Sequence, residues 1–151
     1  MDAIDRRIIA ALQYDGRQRL ADLSAAAGLS PTPCARRVAR LESAGVITGY
    51  SARVDQEKLG LPLNVFIFVE LERQSRDAVA RFETALRGFE EVMECYLMTG
   101  TRDVLIRVVA ADLAAYDRFL EDGLMQIAGI RSMRSSFALR TMIRRTALPG
   151  G

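Results

Sequence analysis

Hydrophobic residues recur every three or four positions in the first third of the chain, which is the spacing of short amphipathic helices. Asp2 precedes the first repeat as a suitable N-cap residue, and Gly28 ends the second repeat. Residues 1–54 are therefore predicted to form a domain of short helices that must pack together to be stable. The two repeats are Ile4, Ile8 and Leu12, then Leu20, Leu23 and Ala27.

The pattern changes at residues 55–62, a polar segment (DQEKLGLP) whose glycine and proline are typical of a hinge or linker. Beyond it, runs of β-branched and aromatic residues alternate with helical repeats. Strands are predicted at residues 63–72, 92–99, 103–110 and 130–142. Each helical repeat has one apolar face: Val79, Phe82, Leu86 and Phe89 in the first, and Leu113, Tyr116, Leu120 and Leu124 behind an Asp112 cap in the second.

The resulting order of elements, βαββαβ, predicts a ferredoxin-like sheet in residues 63–151 with both helices on one face. The whole chain is then of the α+β class. The opposite face of the sheet needs a cover, and a second copy of the chain is the simplest one. We therefore expect a homodimer.

The segment SPTPCARRVARLES begins with two prolines, although the rest of it is a good helix sequence. Ser30 is predicted to be the N-cap, and Pro31 the first helical residue, where the missing N–H would have no intrahelical partner. Pro33 also falls where intrahelical donors are not required, so the Ser30 hydroxyl is expected to accept only from the Thr32 N–H. The prolines thus fix a rigid helix start, which suits insertion into a groove.

The same helix carries three arginines. At 100° per residue, Cys34, Val38 and Leu41 form one face; the opposite face holds Thr32, Arg36, Arg40 and Ser43, with Arg37 at the flank. Guanidinium groups bind phosphates and guanine edges. Charge alone fits a solvated arginine face equally well, because exposed arginine needs no partner.

The order of the helices favours DNA. A helix, the turn AAGLS and an arginine-bearing helix form the pattern of a helix-turn-helix. The following residues, VITGYSARVD, are predicted to form a small hairpin wing. The predicted DNA-binding residues are Ser30, Thr32, Pro33, Arg36, Arg37 and Arg40.

Charge is segregated along the chain, although the net charge is only +2. Residues 30–53 carry four arginines and one glutamate, whereas residues 63–130 carry seven arginines and twelve acidic residues. From Arg131 onward there are five arginines and no acidic residue. A basic patch beside an acidic body favours a polyanion partner for the patch alone.

Composition excludes several kinds of site. The chain has no histidine, and its two cysteines lack CxxC spacing, which removes the usual zinc sets and imidazole-based catalysis. No apolar run approaches a membrane span, and the first residues lack the pattern of a secretory signal. We expect a cytoplasmic protein without a metal, cofactor or membrane partner. Cys34 and Cys95 are interpreted as core residues, with thiol sensing left open.

The run S-P-T-P-C-x-x-R-V-x-R-L-E-x-x-G-V-I-x-G-Y resembles the recognition helix and following segment of the leucine-responsive/asparagine-regulator (Lrp/AsnC, or feast/famine) family of transcription regulators. D-R-x-I-x-x-x-L-Q-x-D-G-R, L-x-x-x-x-G-L-S, L-G-L, T-G-x-x-D and T-A-L-P extend the similarity over nearly the whole chain. The resemblance implies a winged helix-turn-helix joined to an αβ-sandwich effector domain of the RAM type. It also implies a sequence-specific, non-enzymatic regulator of transcription that binds double-stranded DNA.

The resemblance further implies a site for a small amino-acid effector at a contact between dimers, which assemble into tetramers or octamers. The final strand of the family commonly contributes T-x-T, where this chain has Met133 and Ser135. Arg102 stands where an aromatic residue is frequent, and these departures leave the identity of the effector open. The turn that matches the family site consists of Thr99, Gly100, Thr101, Arg102 and Asp103.

The chemistry of this turn suits an amino acid. A glycine lets backbone N–H groups approach a carboxylate, and Asp103 is the expected partner of the ammonium group. Taken without the resemblance, Gly100 and Asp103 are ordinary hairpin-turn residues.

The sequence leaves two alternative functions open. An architectural nucleoid protein would bind DNA broadly through higher oligomers and ignore small molecules. A metabolic enzyme or its regulatory subunit is the other alternative, because ferredoxin-like sandwiches host many functions. The missing histidine, and the lack of a nucleophile–base pair or metal set, argue against catalysis.

Overall fold

The computed structural model describes residues 1–100 and 103–149. The chain divides into two compact units, one formed by Met1–Arg53 with the segment from Met142 onward, and the other by Val54–Thr141. Each unit has its own buried apolar core. The C-terminal segment, predicted to belong to the effector domain, therefore packs with the N-terminal helices. Gln13 holds it there: the Leu148 N–H donates to Gln13 Oε1 at 2.6 Å, and Gln13 Nε2 donates to the Leu148 carbonyl at 3.4 Å.

Three helices form the N-terminal unit: α1 (Ala3–Tyr14), α2 (Leu20–Ala27) and α3 (Pro31–Ser43). The predicted cap of α1 is present, because Asp2 Oδ1 accepts from the N–H groups of Ile4 and Asp5 at 2.9 Å. Gly28 ends α2 in the left-handed conformation, with φ 70°. Leu20, predicted to face inward, is exposed as the first residue of α2. The core that joins the three helices consists of Ile8, Leu23, Ala27, Cys34 and Leu41.

The backbone at the start of α3 is as predicted, but the hydrogen bonding of the Ser30 side chain is not. Ser30 is the N-cap and Pro31 the first helical residue. The Ser30 carbonyl accepts from the Cys34 N–H at 3.2 Å. The predicted bond from Thr32 to the Ser30 hydroxyl is not formed, since that side chain makes no capping hydrogen bond. Ser30 is exposed, so solvent competes for its hydroxyl.

The predicted hairpin wing does not form, because residues 44–62 contain no strand. The N–H groups of Val46 and Ile47 donate to the Leu41 carbonyl instead, at 2.9 and 3.1 Å, and close the end of α3. The Tyr50 hydroxyl donates to Glu42 Oε1 at 2.9 Å. A two-stranded hairpin is marginal by itself, and these bonds to α3 use the groups that would have begun it.

The C-terminal unit is the predicted ferredoxin-like sandwich. Its elements are β1 (Leu63–Leu71), α4 (Arg76–Leu86), β2 (Val92–Leu97), β3 (Val104–Ala110), α5 (Leu113–Arg118) and β4 (Ile130–Phe137). The antiparallel sheet has the order β2-β3-β1-β4. Asp112 caps α5 by accepting from the Ala115 N–H at 2.7 Å.

Alternating residues of the central strands separate the two faces of this sheet. Val65, Ile67 and Val69 of β1 are fully buried and pack with the helices. Leu113, predicted to face inward, is 64% exposed as the first residue of α5. A π-helical turn, Phe119–Gly123, follows α5, and Phe119 at its start is buried, as is Tyr116 three residues before it.

The predicted hinge is a hydrogen-bonded turn of the C-terminal unit. Asp55 Oδ1 accepts from the N–H groups of Glu57 and Lys58 at 3.0 and 3.2 Å. Gln56 Nε2 donates to the Leu61 carbonyl at 2.6 Å, and Gln56 Oε1 accepts from Arg107 Nη2 at 3.2 Å. These bonds give the segment after Arg53 a fixed local conformation.

Candidate DNA-binding surface and effector turn

The first turns of α3 present an exposed polar surface. Ser30, Thr32 and Arg36 are exposed, and Pro33 is half-buried beside them. Within the part of the chain that the structure describes, Arg36 forms no salt bridge. Cys34 and Leu41 on the opposite side are buried against α1 and α2. The predicted division of α3 into an apolar and a polar face is therefore present, and the guanidinium group of Arg36 is available to an external anion.

Arg37 and Arg40 are placed differently, because carboxylates of α1 and its cap hold them. Arg37 Nη1 lies 2.6 Å from Asp2 Oδ2 and 2.8 Å from Asp5 Oδ1. Arg40 Nη2 lies 2.8 Å from both carboxylate oxygens of Asp5. The side chain of Asp5 is 1% exposed, whereas those of Arg37 and Arg40 are 26% and 59% exposed. The structure thus separates these two arginines from Arg36.

The four charged groups, Asp2, Asp5, Arg37 and Arg40, form what we call the acid–arginine cluster. The Arg37 guanidinium, followed by the N–H groups of Asp5 and Ile4, lowers the pKa of Asp2 from 3.8 to about 2. The Asp2 N–H, with the guanidinium groups of Arg37 and Arg40, lowers the pKa of Asp5. Both carboxylates are ionised at neutral pH and balance the two arginines.

Asp5 belongs to this surface although it is not among the predicted DNA-binding residues. Its Oδ2 accepts from the Asp2 N–H at 3.0 Å, which completes a capping box at the start of α1. Its position in the sequence could have indicated this role, since 100° spacing puts Asp5 on the same face of α1 as Ile8 and Leu12. An acidic residue on an apolar helix face requires a basic partner when it is buried.

The predicted effector turn is only partly described. Thr99 and Gly100 are exposed, and Gly100 has φ 118°; Thr101 and Arg102 lie outside the described residues. Asp103 is 7% exposed, and its Oδ2 accepts from the Leu71 N–H at 2.7 Å. Its own N–H donates to the Val69 carbonyl, and its carbonyl accepts from the Met98 N–H. Asp103 therefore fastens the turn to β1, a structural role beyond the predicted one.

Met133 and Ser135 lie on the helix-covered face of the sheet. Met133 pairs with Val69, which on its other side pairs with Val104, so Met133 and the residue after Asp103 share one row across the sheet. Met133 packs against the core. Ser135 exchanges a hydrogen bond with the Tyr116 hydroxyl. The structure brings Met133 to the end of the sheet where Asp103 lies, and turns Ser135 toward α5.

The two cysteines differ in exposure. Cys34 is buried as predicted, and burial raises the pKa of its thiol. The prediction that Cys95 is a core residue is wrong, since it is exposed on β2, an edge strand with a neighbour on one side only.

Among residues 1–100 and 103–149, no three acidic or cysteine side chains are grouped to hold a metal ion. No described helix combines the length and the apolar character that crossing a membrane requires.

Two family models match the chain. An AsnC-type helix-turn-helix domain matches residues 1–42, and an Lrp/AsnC ligand binding domain matches residues 64–148. The Bkd operon transcriptional regulator of Pseudomonas aeruginosa is 46% identical over 149 residues, which are 99% of this chain and 97% of that protein. The leucine-responsive regulatory protein of Escherichia coli K12 is 40% identical over 135 residues, or 89% of this chain and 82% of that protein.

Solved structures agree with these relatives. A transcriptional regulator of Neisseria meningitidis in complex with L-Met has a TM-score of 0.93 and 36% identity, with 99% of this chain and 96% of that chain covered. An AsnC family transcriptional regulator of Agrobacterium tumefaciens has a TM-score of 0.93 and 39% identity, over 99% and 97%. With the helix-turn-helix and the ferredoxin-like sandwich described above, these matches show that the chain belongs to the Lrp/AsnC family of transcriptional regulators.

Proposed function

We propose that the chain reads DNA through the first turns of α3, with Arg36 as its principal base- or phosphate-contacting residue. The observation that carries this proposal is the exposed Arg36 guanidinium beside Ser30, Thr32 and Pro33 on a helix whose start is fixed by proline. Short polar side chains at a helix start let the backbone approach a groove, and arginine binds guanine through two hydrogen bonds. Arg37 and Arg40 are less available for contacts with DNA, because Asp2 and Asp5 already bind them.

The test is a footprinting and mobility-shift experiment on DNA upstream of the gene that encodes this chain, with random DNA of equal length as competitor. A protected segment that random DNA does not compete away, and an affinity that falls with salt, are the expected results. Equal affinity for both DNAs would favour the architectural alternative. No salt dependence would contradict DNA binding through α3.

The second part of the proposal is an amino-acid effector at the turn of Thr99, Gly100, Thr101, Arg102 and Asp103. The supporting observations are the exposed Gly100, with φ 118°, and the Asp103 carboxylate, one oxygen of which is taken by the Leu71 N–H. The Neisseria meningitidis relative was solved with L-Met, so a small amino acid is the class of ligand to test first.

A thermal-shift screen against each of the proteinogenic amino acids tests the effector directly, because a ligand that binds only the native state raises the unfolding temperature. One or a few stabilising amino acids are expected, with an Arg102→Ala variant that responds less. If no amino acid shifts the transition, and calorimetry detects no heat, the effector part of the proposal fails while DNA binding stands.

We also propose that the uncovered face of the sheet packs against a second copy of the chain. Register places two rows on that face: Tyr96, Leu105, Phe68 and Arg134, then Glu94, Arg107, Phe66 and Ser136. Leu105, Phe66 and Phe68 lie on the two central strands with Arg107 beside them, and charged residues of both signs lie on the edge strands, which suits a self-complementary interface. Such a dimer would carry two copies of α3 for two half-sites about one helical turn apart.

Sedimentation tests the oligomer. The wild type is expected as a dimer or a multiple of it, such as a tetramer or octamer, and Leu105→Arg is expected to shift it toward monomer. Leu113→Arg is the matched control, because Leu113 is 64% exposed on α5. If an effector lies between dimers, the ligand will change the sedimentation coefficient.

A DNA-binding regulator of this family acts in the cytoplasm, and we propose that location here.

A further inference from the structure

We propose that Asp5 is a positioning residue that increases the sequence specificity of DNA binding by withholding Arg37 and Arg40 from phosphates. This inference rests on the proposed DNA-binding surface of α3. Two of the three arginines of α3 are bound to carboxylates, and the third, Arg36, forms no salt bridge with a described residue. The acid–arginine cluster therefore determines how many positive charges the helix offers to a duplex.

The geometry makes Asp5 the centre of the cluster. Its buried carboxylate accepts from the Asp2 N–H at 3.0 Å, from Arg37 at 2.8 Å, and from Arg40 at 2.8 Å on each oxygen. Asp2 pairs with Arg37 and is half-exposed. Arg40 is 59% exposed and pairs with Asp5 among the described residues, so it is the arginine that loss of Asp5 would release most readily.

The electrostatic consequence follows from how each kind of contact contributes to DNA binding. Contacts to phosphates strengthen binding to every sequence and steepen its salt dependence, whereas contacts to base edges distinguish sequences. Neutralising Arg37 and Arg40 removes two charges from the non-specific contribution. Arg36 then accounts for a larger share of the total free energy of DNA binding, and the ratio of specific to non-specific affinity rises.

The experiment compares full-length wild type with Asp5→Asn on two DNAs, a site selected from a random library with the wild type, and a scrambled duplex of the same length. Asparagine keeps the volume and an acceptor oxygen but loses the charge. The slope of log affinity against log salt is expected to steepen by about 0.9 for each arginine released in each protomer. Affinity for the scrambled duplex should rise several-fold, and the specificity ratio should fall.

The matched control is Glu83→Gln, which makes the same change in net charge and also breaks an arginine–carboxylate pair, with Arg87 in the C-terminal unit. It should leave the slope and the specificity ratio as in wild type. Adding Arg40→Gln to Asp5→Asn should remove most of the gain on scrambled DNA, which a general loosening of the fold would not do. If Asp5→Asn does not fold, Asp2→Asn should shift the slope in the same direction by less.

The possible outcomes distinguish a failure of the proposed role of Asp5 from a failure of the proposed DNA-binding surface. Wild type without preference for its selected site would overturn the proposed DNA-reading surface. Wild type that discriminates, with a folded Asp5→Asn of unchanged slope and ratio, would overturn the role of Asp5 and leave that surface intact. A gain that persists fully in Asp5→Asn/Arg40→Gln would also overturn it.

Discussion

The Nη2 nitrogen of Arg40 lies 2.8 Å from each carboxylate oxygen of Asp5, although 35 residues separate the two in the chain. Together with the Arg37 contacts, this ion pair joins the beginning of α1 to the middle of α3. Apolar packing of Ile8, Cys34 and Leu41 holds the same helices together. The charged contacts add directional bonds between α1 and α3, in an orientation of α3 that leaves Arg36 exposed.

The acid–arginine cluster predicts a pH dependence of stability. The pKa of Asp2 in the native protein, about 2, is below its ordinary value of 3.8, so its contribution is fully present above about pH 4 and is lost as pH falls toward 2. In Asp2→Asn, which keeps an N-cap acceptor, unfolding free energy should therefore decrease less between about pH 5 and pH 2.5. Urea unfolding at these pH values is the measurement, with Asp77→Asn as control. Parallel pH profiles of wild type and Asp2→Asn would contradict the role of Asp2.

The turn between α2 and α3 predicts a cost for Gly28→Ala. Gly28 has φ 70°, and an added Cβ would meet only Arg7 Nη1 at 3.8 Å, so the cost comes from the backbone conformation. Left-handed backbone costs a residue with a side chain roughly 1–2 kcal/mol. Gly88→Ala is the control, because φ at Gly88 is not positive and its Cβ would lie 3.6 Å from the Ala85 carbonyl. Denaturant unfolding should show the loss for Gly28→Ala alone; equal effects would contradict the turn conformation.

The thiols predict distinct reactivities. Cys34 is fully buried and should react with a disulfide reagent only when the N-terminal unit unfolds. Cys95 is accessible, but desolvation and the Glu83 carboxylate raise the pKa of its thiol above 9.0, so reaction at neutral pH should be slow. Glu83→Gln should lower this pKa and speed the reaction at about pH 8. Two equally fast thiols in the native protein would show that Cys34 is not buried.

Local signals predicted most of the elements. Asp2, Gly28, Pro31 and Asp112 mark helix ends through bonds or backbone angles within a few residues of each, and these boundaries agree with the structure. Runs of β-branched and aromatic residues predicted β1 and β3 closely, because both strands lie in the interior of the sheet. The βαββαβ order of elements predicted the ferredoxin-like sandwich.

What the sequence could not reveal depends on contacts between distant residues. The Asp5 pairs with Arg37 and Arg40 span 32 and 35 positions, so no periodicity shows them. The return of the chain from Met142 onward to the N-terminal helices depends on the Gln13 contact with Leu148, 135 positions away. Cys95 was misplaced because an apolar strand does not show whether it lies at the edge of a sheet.

DNA binding through the start of α3 depends most on Arg36, so substitution of Arg36 tests it most directly. Affinity of Arg36→Ala for the selected site should fall by about 1–3 kcal/mol, roughly 5- to 150-fold, with a smaller loss on scrambled DNA, if Arg36 reads a base. Fluorescence anisotropy at fixed salt measures both affinities, with Arg76→Ala, an exposed arginine at the start of α4, as control. An equal loss on both DNAs would assign Arg36 to a phosphate. Unchanged affinity of Arg36→Ala for both DNAs would contradict the proposal that this end of α3 contacts DNA.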